Sequence, residues 1–257
     1  MDIHATAIVD PKAELAADVI VGPYAVIGPH VQIESGTVIG SHTVIDGWTH
    51  IGRNNRISSF VSIGFPPQDL KYKGSPTRLV IGDGNIIREY ATIHRGTEHG
   101  GGVTQIGNHN LIMAYAHVAH DCILHNRVIM ANAAMLAGHV LIEDDAVIGG
   151  LAAVHQFSRI GTHAYVGAKA GVKKDIPPYM LATGYPAKLY GPNTVGLKRK
   201  GFSGEAIQGL KKAYKIIFRS GLTLSQAVEE VQRELGNLDV VVNLLRFIEG
   251  TQRGLTR

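Results

Sequence analysis

The chain is predicted to fold as an all-β parallel β-helix closed at one end by a small helical domain, and three observations carry that prediction. Aliphatic residues recur at every sixth position from Ile3 through Val9, Leu15, Val21, Ile27, Ile33, Ile39, Ile45, Ile51 and Ile57 to Ile63. The beat returns in phase at Ile81, Ile87 and Ile93, slips by one residue, and runs from Ile106 at six-residue steps to Val172. A helical period of 3.6 or the alternation of a simple strand does not sustain such spacing; hexapeptide repeats do. Second, a small or β-branched residue stands two positions before most beats, so each side of a three-sided coil sends one aliphatic and one small group inward. Three hexads make a coil, and positions 18 apart then stack at about 4.8 Å. Third, beyond residue 190 the apolar spacing turns helical.

In chain order, the first coils run to Ile63, and glycine often follows the beat (Gly22, Gly28, Gly40, Gly52), which predicts corners there. The breaks at 64–80, containing FPPQDLKYKGSPTRL, and at 94–105, HRGTEHGGGVTQ, predict two loops leaving the coil, and loops of that length are usually functional. The segment KKDIPPYMLATGYPAK (173–188) reads as an irregular exit. Ser203 is a candidate N-cap for a helix with the stripe Ile207, Leu210, Tyr214, Ile217 and Phe218. Thr223 and Gln226 form a capping box, and 238–249 reads as a third helix. The expected division is therefore a β-helix over 1–190 and a helical domain over 191–257.

Composition narrows the class. The chain has 257 residues, 18% charged, a formal net charge of +4 and one cysteine, Cys122. One cysteine allows no internal disulfide and fits a reducing compartment. The start, MDIHATAIVD, lacks the features of a signal peptide, and no run of 18 apolar residues occurs. These features predict a cytoplasmic protein without membrane insertion. Flat β-helix faces predict side-by-side association.

Chemistry concentrates in AHVAHDCILHN, residues 116–126. The beat sends Val118 and Cys122 inward and leaves His117, His120 and Asp121 outside or at a corner. Stacking by 18 places Gly138 over His120 and His139 over Asp121, giving an exterior patch with His155 on the next coil. Three readings compete. One is a solvated face. A second is a zinc site, although H-x2-H on a strand aims two rings apart and leaves a third ligand to another chain. The third is acid–base catalysis, with His120 as general base, Asp121 fixing its tautomer and a backbone N–H at Gly138 facing a developing oxyanion.

The ordered motifs QDLKYKGSPTRLVIGDGNIIRE, TIHRGT, NLIMAYAHVAHDC, LAGHV, VHQF and GLKRKGF extend the argument, because their sequence resembles the UDP-N-acetylglucosamine O-acyltransferases, from the first coil to the terminal GLTR. The resemblance implies a homotrimer of left-handed β-helices with sites between subunits. It implies transfer of an (R)-3-hydroxyacyl group from acyl carrier protein to the 3-hydroxyl of UDP-N-acetylglucosamine, the first step of lipid A synthesis, without metal or cofactor beyond the phosphopantetheine of the donor. It assigns His120 as base, Asp121 as its partner and Gly138 as oxyanion donor. Asp69 and Lys71 match residues reaching sugar and donor; His117, His139, His155 and Gln156 match acceptor positions; Asn193, Arg199 and Lys200 match residues near the nucleotide. Ala168 matches the position that limits acyl length, and alanine there implies an intermediate or long chain. Val195 replaces a commonly acidic residue near the nucleotide.

Between 198 and 219, seven basic residues face one acid, Glu205. Lys211, Lys215 and Arg219 share a helix face, an expected dock for the acidic carrier protein. Nucleic acid fits less well, for no recognised binding motif occurs. The related N-acyltransferase carries an additional N-terminal domain for which a beat starting at Ile3 leaves no room. A γ-type carbonic anhydrase would hold stoichiometric zinc. A structural β-helix of the ice-binding kind would show an unbroken threonine ladder. An acyltransferase using the 3-amino analogue of the sugar stays open.

Overall fold

The computed structural model describes residues 2–257. Its strands, most of them two to four residues long, form three sheets of 11, 9 and 8 strands, parallel but for the last strand of the first, that make the walls of a left-handed β-helix. Each beat residue lies on its neighbour in the next coil. Ile39 pairs with Ile57, Ile57 with Ile87, Ile87 with Ile112, and Ile112 with Met130. From Val21 onward every beat residue is buried, and Ile45, Ile63, Ile81 and Ile87 are fully so. Burying such a side chain stabilises the fold by about 1.5–3 kcal/mol. The positions two before the beat are the second inward row. Asn55, Asn85 and Asn110 form a buried ladder there: Asn55 Oδ1 accepts from Asn85 N at 2.9 Å, and Asn85 Oδ1 from Asn110 N at 2.9 Å.

The corners are not where the glycines predicted them. The left-handed turn falls three residues after the beat, at Tyr24, His42, Phe60, Tyr90 and Tyr115, with φ between 57° and 63°. Of the glycines that follow a beat, only Gly64 has positive φ. The others are small because the next coil passes close: a Cβ on Gly40 would lie 2.6 Å from Ser58 C. The bulky corner residues recover part of their backbone cost by stacking, with centroids 4.8–5.2 Å apart along the ladder from Tyr24 to Tyr115.

The two loops are shorter than the breaks in the beat. Ser62–Phe65 and Arg78–Ile81 are strands, leaving an excursion at 66–77. Thr92–His94 and Val103–Ile106 are strands as well, leaving 95–102. Arg78–Ile81 and Val103–Ile106 begin three residues before the beat, and a count of every sixth residue does not register that extension.

At the C-terminal end Met180–Thr183 continues one sheet, and Lys188–Pro192 pairs antiparallel with it, carrying sheet structure past residue 190. Four helices follow: α1 (Thr194–Arg199), α2 (Gly204–Arg219), α3 (Leu224–Leu235) and α4 (Asp239–Glu249). The short α1, capped by Asn193, was not among the expected helices. Ser203 caps α2, and the Thr223–Gln226 capping box opens α3. Tertiary bonds tie the helices to the coil end. Asn243 Nδ2 donates to Tyr179 OH at 2.8 Å, and Arg159 lies 4.3 Å from the Phe247 ring centroid.

Candidate active site

The repeat builds the site by stacking. His120 lies two residues after the buried Val118, and Asp121 occupies the left-handed corner at φ 58°. Its backbone N–H donates to Thr104 Oγ1 at 2.8 Å, which fixes the corner to the coil interior. His120 Nδ1 lies 2.8 Å from Asp121 Oδ2. A carboxylate only accepts, so Nδ1 carries the proton and Nε2 is left with its lone pair. Gly138 covers the ring: a Cβ there would stand 2.8 Å from His120 Nε2. His139 meets the His120 ring edge-on at 5.1 Å, approaches Asp121 Oδ2 with Nε2 at 3.7 Å, and stacks on Phe157 at 4.4 Å.

The patch is not fully exterior. The Asp121 carboxylate is 1% exposed, because the excursion 95–102 lies over it. Thr97 donates its backbone N–H to Oδ1 at 2.9 Å and its hydroxyl to Oδ2 at 2.6 Å. Burial by itself would raise the carboxyl pKa, yet the hydrogen bonds from His120 and Thr97 outweigh it and hold the group below its ordinary value. Asp121 is thus a fixed negative charge beneath the imidazole. His120, Asp121 and His139 also offer three ligand atoms within 4.8 Å of one another, all from one chain, which corrects the expectation that a third metal ligand would need another subunit.

The first excursion brings Asp69 to the same side. Its Oδ2 meets His99 Nε2 at 2.9 Å and its Oδ1 accepts from Lys71 N at 2.8 Å; the Lys71 side chain is exposed. His117 Nδ1 lies 2.7 Å from Thr92 Oγ1. His155 and Gln156 lie exposed one coil beyond, with His155 Nδ1 3.2 Å from Gln156 O. Cys122 is buried, donates to Ala137 O at 3.1 Å, and burial pushes its thiol up to about 12, so it is an inert core residue.

The remaining residues sit apart from His120. Asn193 caps α1 by accepting from Gly196 N at 3.2 Å. Arg199 is exposed, and Lys200 Nζ pairs with Asp145 Oδ1 at 2.8 Å. Asp145 also binds Arg127 and faces His163 at 3.9 Å, a cluster whose members stand 18 residues apart and stack on successive coils, and which sequence reasoning did not name. Ala168 is exposed on the coil edge, and Val195 is 61% exposed. On α2, Lys211 and Lys215 border a groove of about 960 Å³. Arg219 turns inward to Tyr214 OH at 2.7 Å and Leu189 O at 3.1 Å, and Lys212 pairs with Glu234.

Sequence reasoning missed His94, Arg95 and Thr97, although all three lie in the quoted TIHRGT. Buried His94 meets His117 edge-on at 5.1 Å and its Nδ1 has no partner among the described residues. Burial, then the neighbouring His117, His120 and Arg95, lower its pKa from 6.5 to about 4. The folded protein refuses a proton that the unfolded chain accepts below about 6.5, so stability is lost as pH falls from there toward 4, by about 3 kcal/mol over the window. Melting temperature across that range should decline in the wild type and decline less in His94→Gln. Parallel profiles would assign the acid lability elsewhere.

Comparisons with known proteins agree with this geometry. Residues 175–256 match the profile of UDP-N-acetylglucosamine O-acyltransferase domain 2, and 104–138 match the bacterial transferase hexapeptide profile. A protein of Thiobacillus denitrificans named acyl-(acyl-carrier-protein)–UDP-N-acetylglucosamine O-acyltransferase is 54% identical over 255 residues, 99% of either chain. A protein of the same name from Thermodesulfovibrio yellowstonii is 55% identical over 256 residues, covering 100% of this chain and 99% of its own. The solved LpxA of Acinetobacter baumannii superposes with a TM-score of 0.97 at 46% identity, over 99% of both chains.

Proposed function

The chain belongs to the UDP-N-acetylglucosamine O-acyltransferase family, and from that premise we propose that it moves an (R)-3-hydroxyacyl group from acyl carrier protein to the sugar 3-hydroxyl, the first step of lipid A biosynthesis, with His120 as general base. The observation that carries the mechanism is the His120–Asp121 pair at 2.8 Å, its carboxylate buried, beneath Gly138. As the 3-hydroxyl oxygen attacks the thioester carbonyl, its proton passes to His120 Nε2. Asp121 stabilises the imidazolium that forms, and the Gly138 N–H, which has no partner among the described residues, donates to the oxyanion. The C–S bond then breaks, and the phosphopantetheine thiolate takes the proton back.

Supporting residues follow the same reading. Asp69 and Lys71 reach sugar and donor from the first excursion; His117, His139, His155 and Gln156 border the acceptor; Asn193, Arg199 and Lys200 serve the nucleotide. The latter sit away from His120 within one chain, which fits a site completed between subunits of a homotrimer. No cofactor is needed for acyl transfer by a base and a fixed donor. A metal on the His120–Asp121–His139 group would have to displace the Thr97 bonds or the His120 proton from Asp121, so acid–base chemistry is the better reading of that group. Among the described residues no helix is long and apolar enough to cross a membrane, and the reading places the reaction in the cytoplasm, where a carrier-protein donor is available.

The test is turnover from a panel of (R)-3-hydroxyacyl carrier proteins onto UDP-N-acetylglucosamine and its 3-amino analogue, with and without a chelator. Product with the 3-hydroxyl sugar, insensitive to chelation, is expected, and the panel reads the length that Ala168 permits. Absence of product from either acceptor sinks the reading. In the same assay Lys211→Glu with Lys215→Glu should raise the KM for the acyl donor about tenfold at low salt, since steering between unlike charges is lost. An unchanged KM would move the carrier-protein dock off α2.

A further inference from the structure

The second excursion meets both the partner of the base and the first excursion, and apart from the Thr97 bonds to Asp121 its contacts hold no role above. Arg95 is 7% exposed. Its Nη1 donates to Gly64 O at 2.8 Å, and its Nε and Nη2 donate to Tyr72 OH at 3.3 and 3.0 Å. The guanidinium lies 5.8 Å from the Trp48 ring centroid and 5.6 Å from that of Tyr72. Among the described residues no carboxylate pairs with it. A buried cation without a counter-charge is costly, and here two aromatic faces and two oxygens are its compensation. Tyr72 in turn donates its hydroxyl to Ser75 O at 2.5 Å, so the hydroxyl is saturated and the first excursion is pinned at its middle.

Two residues after Arg95, Thr97 occupies both oxygens of Asp121. Glu98 Oε1 accepts from Lys73 N at 3.0 Å, and His99 Nε2 meets Asp69 Oδ2 at 2.9 Å. Gly100 then packs so closely on Asp121 that a Cβ would collide with the carboxylate. Of these five residues, Thr97 and Gly100 meet the partner of the base, and Arg95, Glu98 and His99 meet the loop that carries Asp69 and Lys71.

We propose that residues 95–100 form a bracket that sets two positions at once: Thr97 is the positioning residue for Asp121, and Arg95 with Tyr72 positions the loop bearing Asp69 and Lys71. The proposal rests on the acyltransfer reading only in taking Asp69 and Lys71 to meet substrate. The acceptor hydroxyl must come within hydrogen-bond reach of His120 Nε2, and a displacement of about 1 Å is enough to cost about a hundredfold in rate. One rigid segment bonded to both the base's partner and the substrate loop holds that separation, whereas two independent loops would let it drift.

The two ends of the bracket predict opposite kinetic signatures. Tyr72→Phe removes two of the three hydrogen bonds of the Arg95 guanidinium; it should raise KM about tenfold and leave kcat within about threefold. Amide exchange at residues 69–73 should accelerate in this variant without any substrate present. Thr97→Val removes the hydroxyl donor to Asp121; it should lower kcat about tenfold at nearly constant KM, with exchange at 69–73 unchanged, and Thr97→Ser should restore kcat. Unchanged exchange in Tyr72→Phe overturns the bracket even if the enzyme is inactive, so failure of the reaction assigned above remains separable. Equal losses of kcat in Tyr72→Phe and Thr97→Val, with KM unmoved in both, overturn it as well.

Discussion

Alanine in place of His120 is expected to lower kcat by about 10²–10⁴-fold, the usual contribution of a positioned general base. The KM values should change little, because the ring acts on a proton that moves only in the transition state. The geometry explains why no neighbour can substitute. His117 is occupied by Thr92 at 2.7 Å, and burial, then the nearby His120, lower its pKa. His139 is lowered by burial against the opposing pull of Asp121, and its ring is stacked on Phe157 with Nε2 turned to Asp121. Of these three histidines, His120 is the one whose ring is held by a carboxylate at 2.8 Å through Nδ1, leaving Nε2 free. Steady-state rates for purified, folded His120→Ala decide the matter. A kcat within about tenfold of wild type would remove His120 from proton transfer, since that is below the range a positioned base supplies.

The coil was legible because its geometry repeats: each hexad meets the same walls, so six-residue spacing reports directly which residues point inward. The same arithmetic puts Gly138 on His120 and His139 over Asp121, where the folded chain has them. It failed where the chain leaves the repeat. Arg95 and Tyr72 are 23 residues apart on two aperiodic segments, and nothing in their spacing announces a contact. For the same reason Asp121 was expected outside: the repeat gives it a corner, and only the folded excursion shows Thr97 and Gly100 sealing it. Lys200 meets Asp145 across 55 residues because the helical end folds back on the coil. The glycines misled differently. A small residue beside a turn signals either a left-handed backbone or a close neighbour, and sequence does not distinguish them; the coil above Gly40 does.

Gly138→Ala should cost activity nearly as much as losing the base, while sparing the fold. Gly138 is buried with φ outside the left-handed region, so alanine meets no backbone strain. Its flanking coil bonds, His139 N to His120 O at 3.0 Å and Phe157 N to Gly138 O at 3.2 Å, do not depend on a glycine. The methyl, however, would sit 2.5 Å from Cε1 and 2.8 Å from Nε2 of His120, closer than real Cβ atoms tolerate. The ring cannot yield without giving up Asp121, and the strand cannot yield without turning its N–H away from the oxyanion. Either response removes a transition-state contact, and loss of one preorganised donor alone lowers kcat by about 10²–10³-fold. The measurement pairs kinetics with a melting curve. A large fall in kcat at a nearly unchanged melting temperature and KM places the loss in the chemical step. An alanine variant with wild-type kcat would mean that the space over His120 is empty in catalysis, and the oxyanion donor would then have to be sought on another strand.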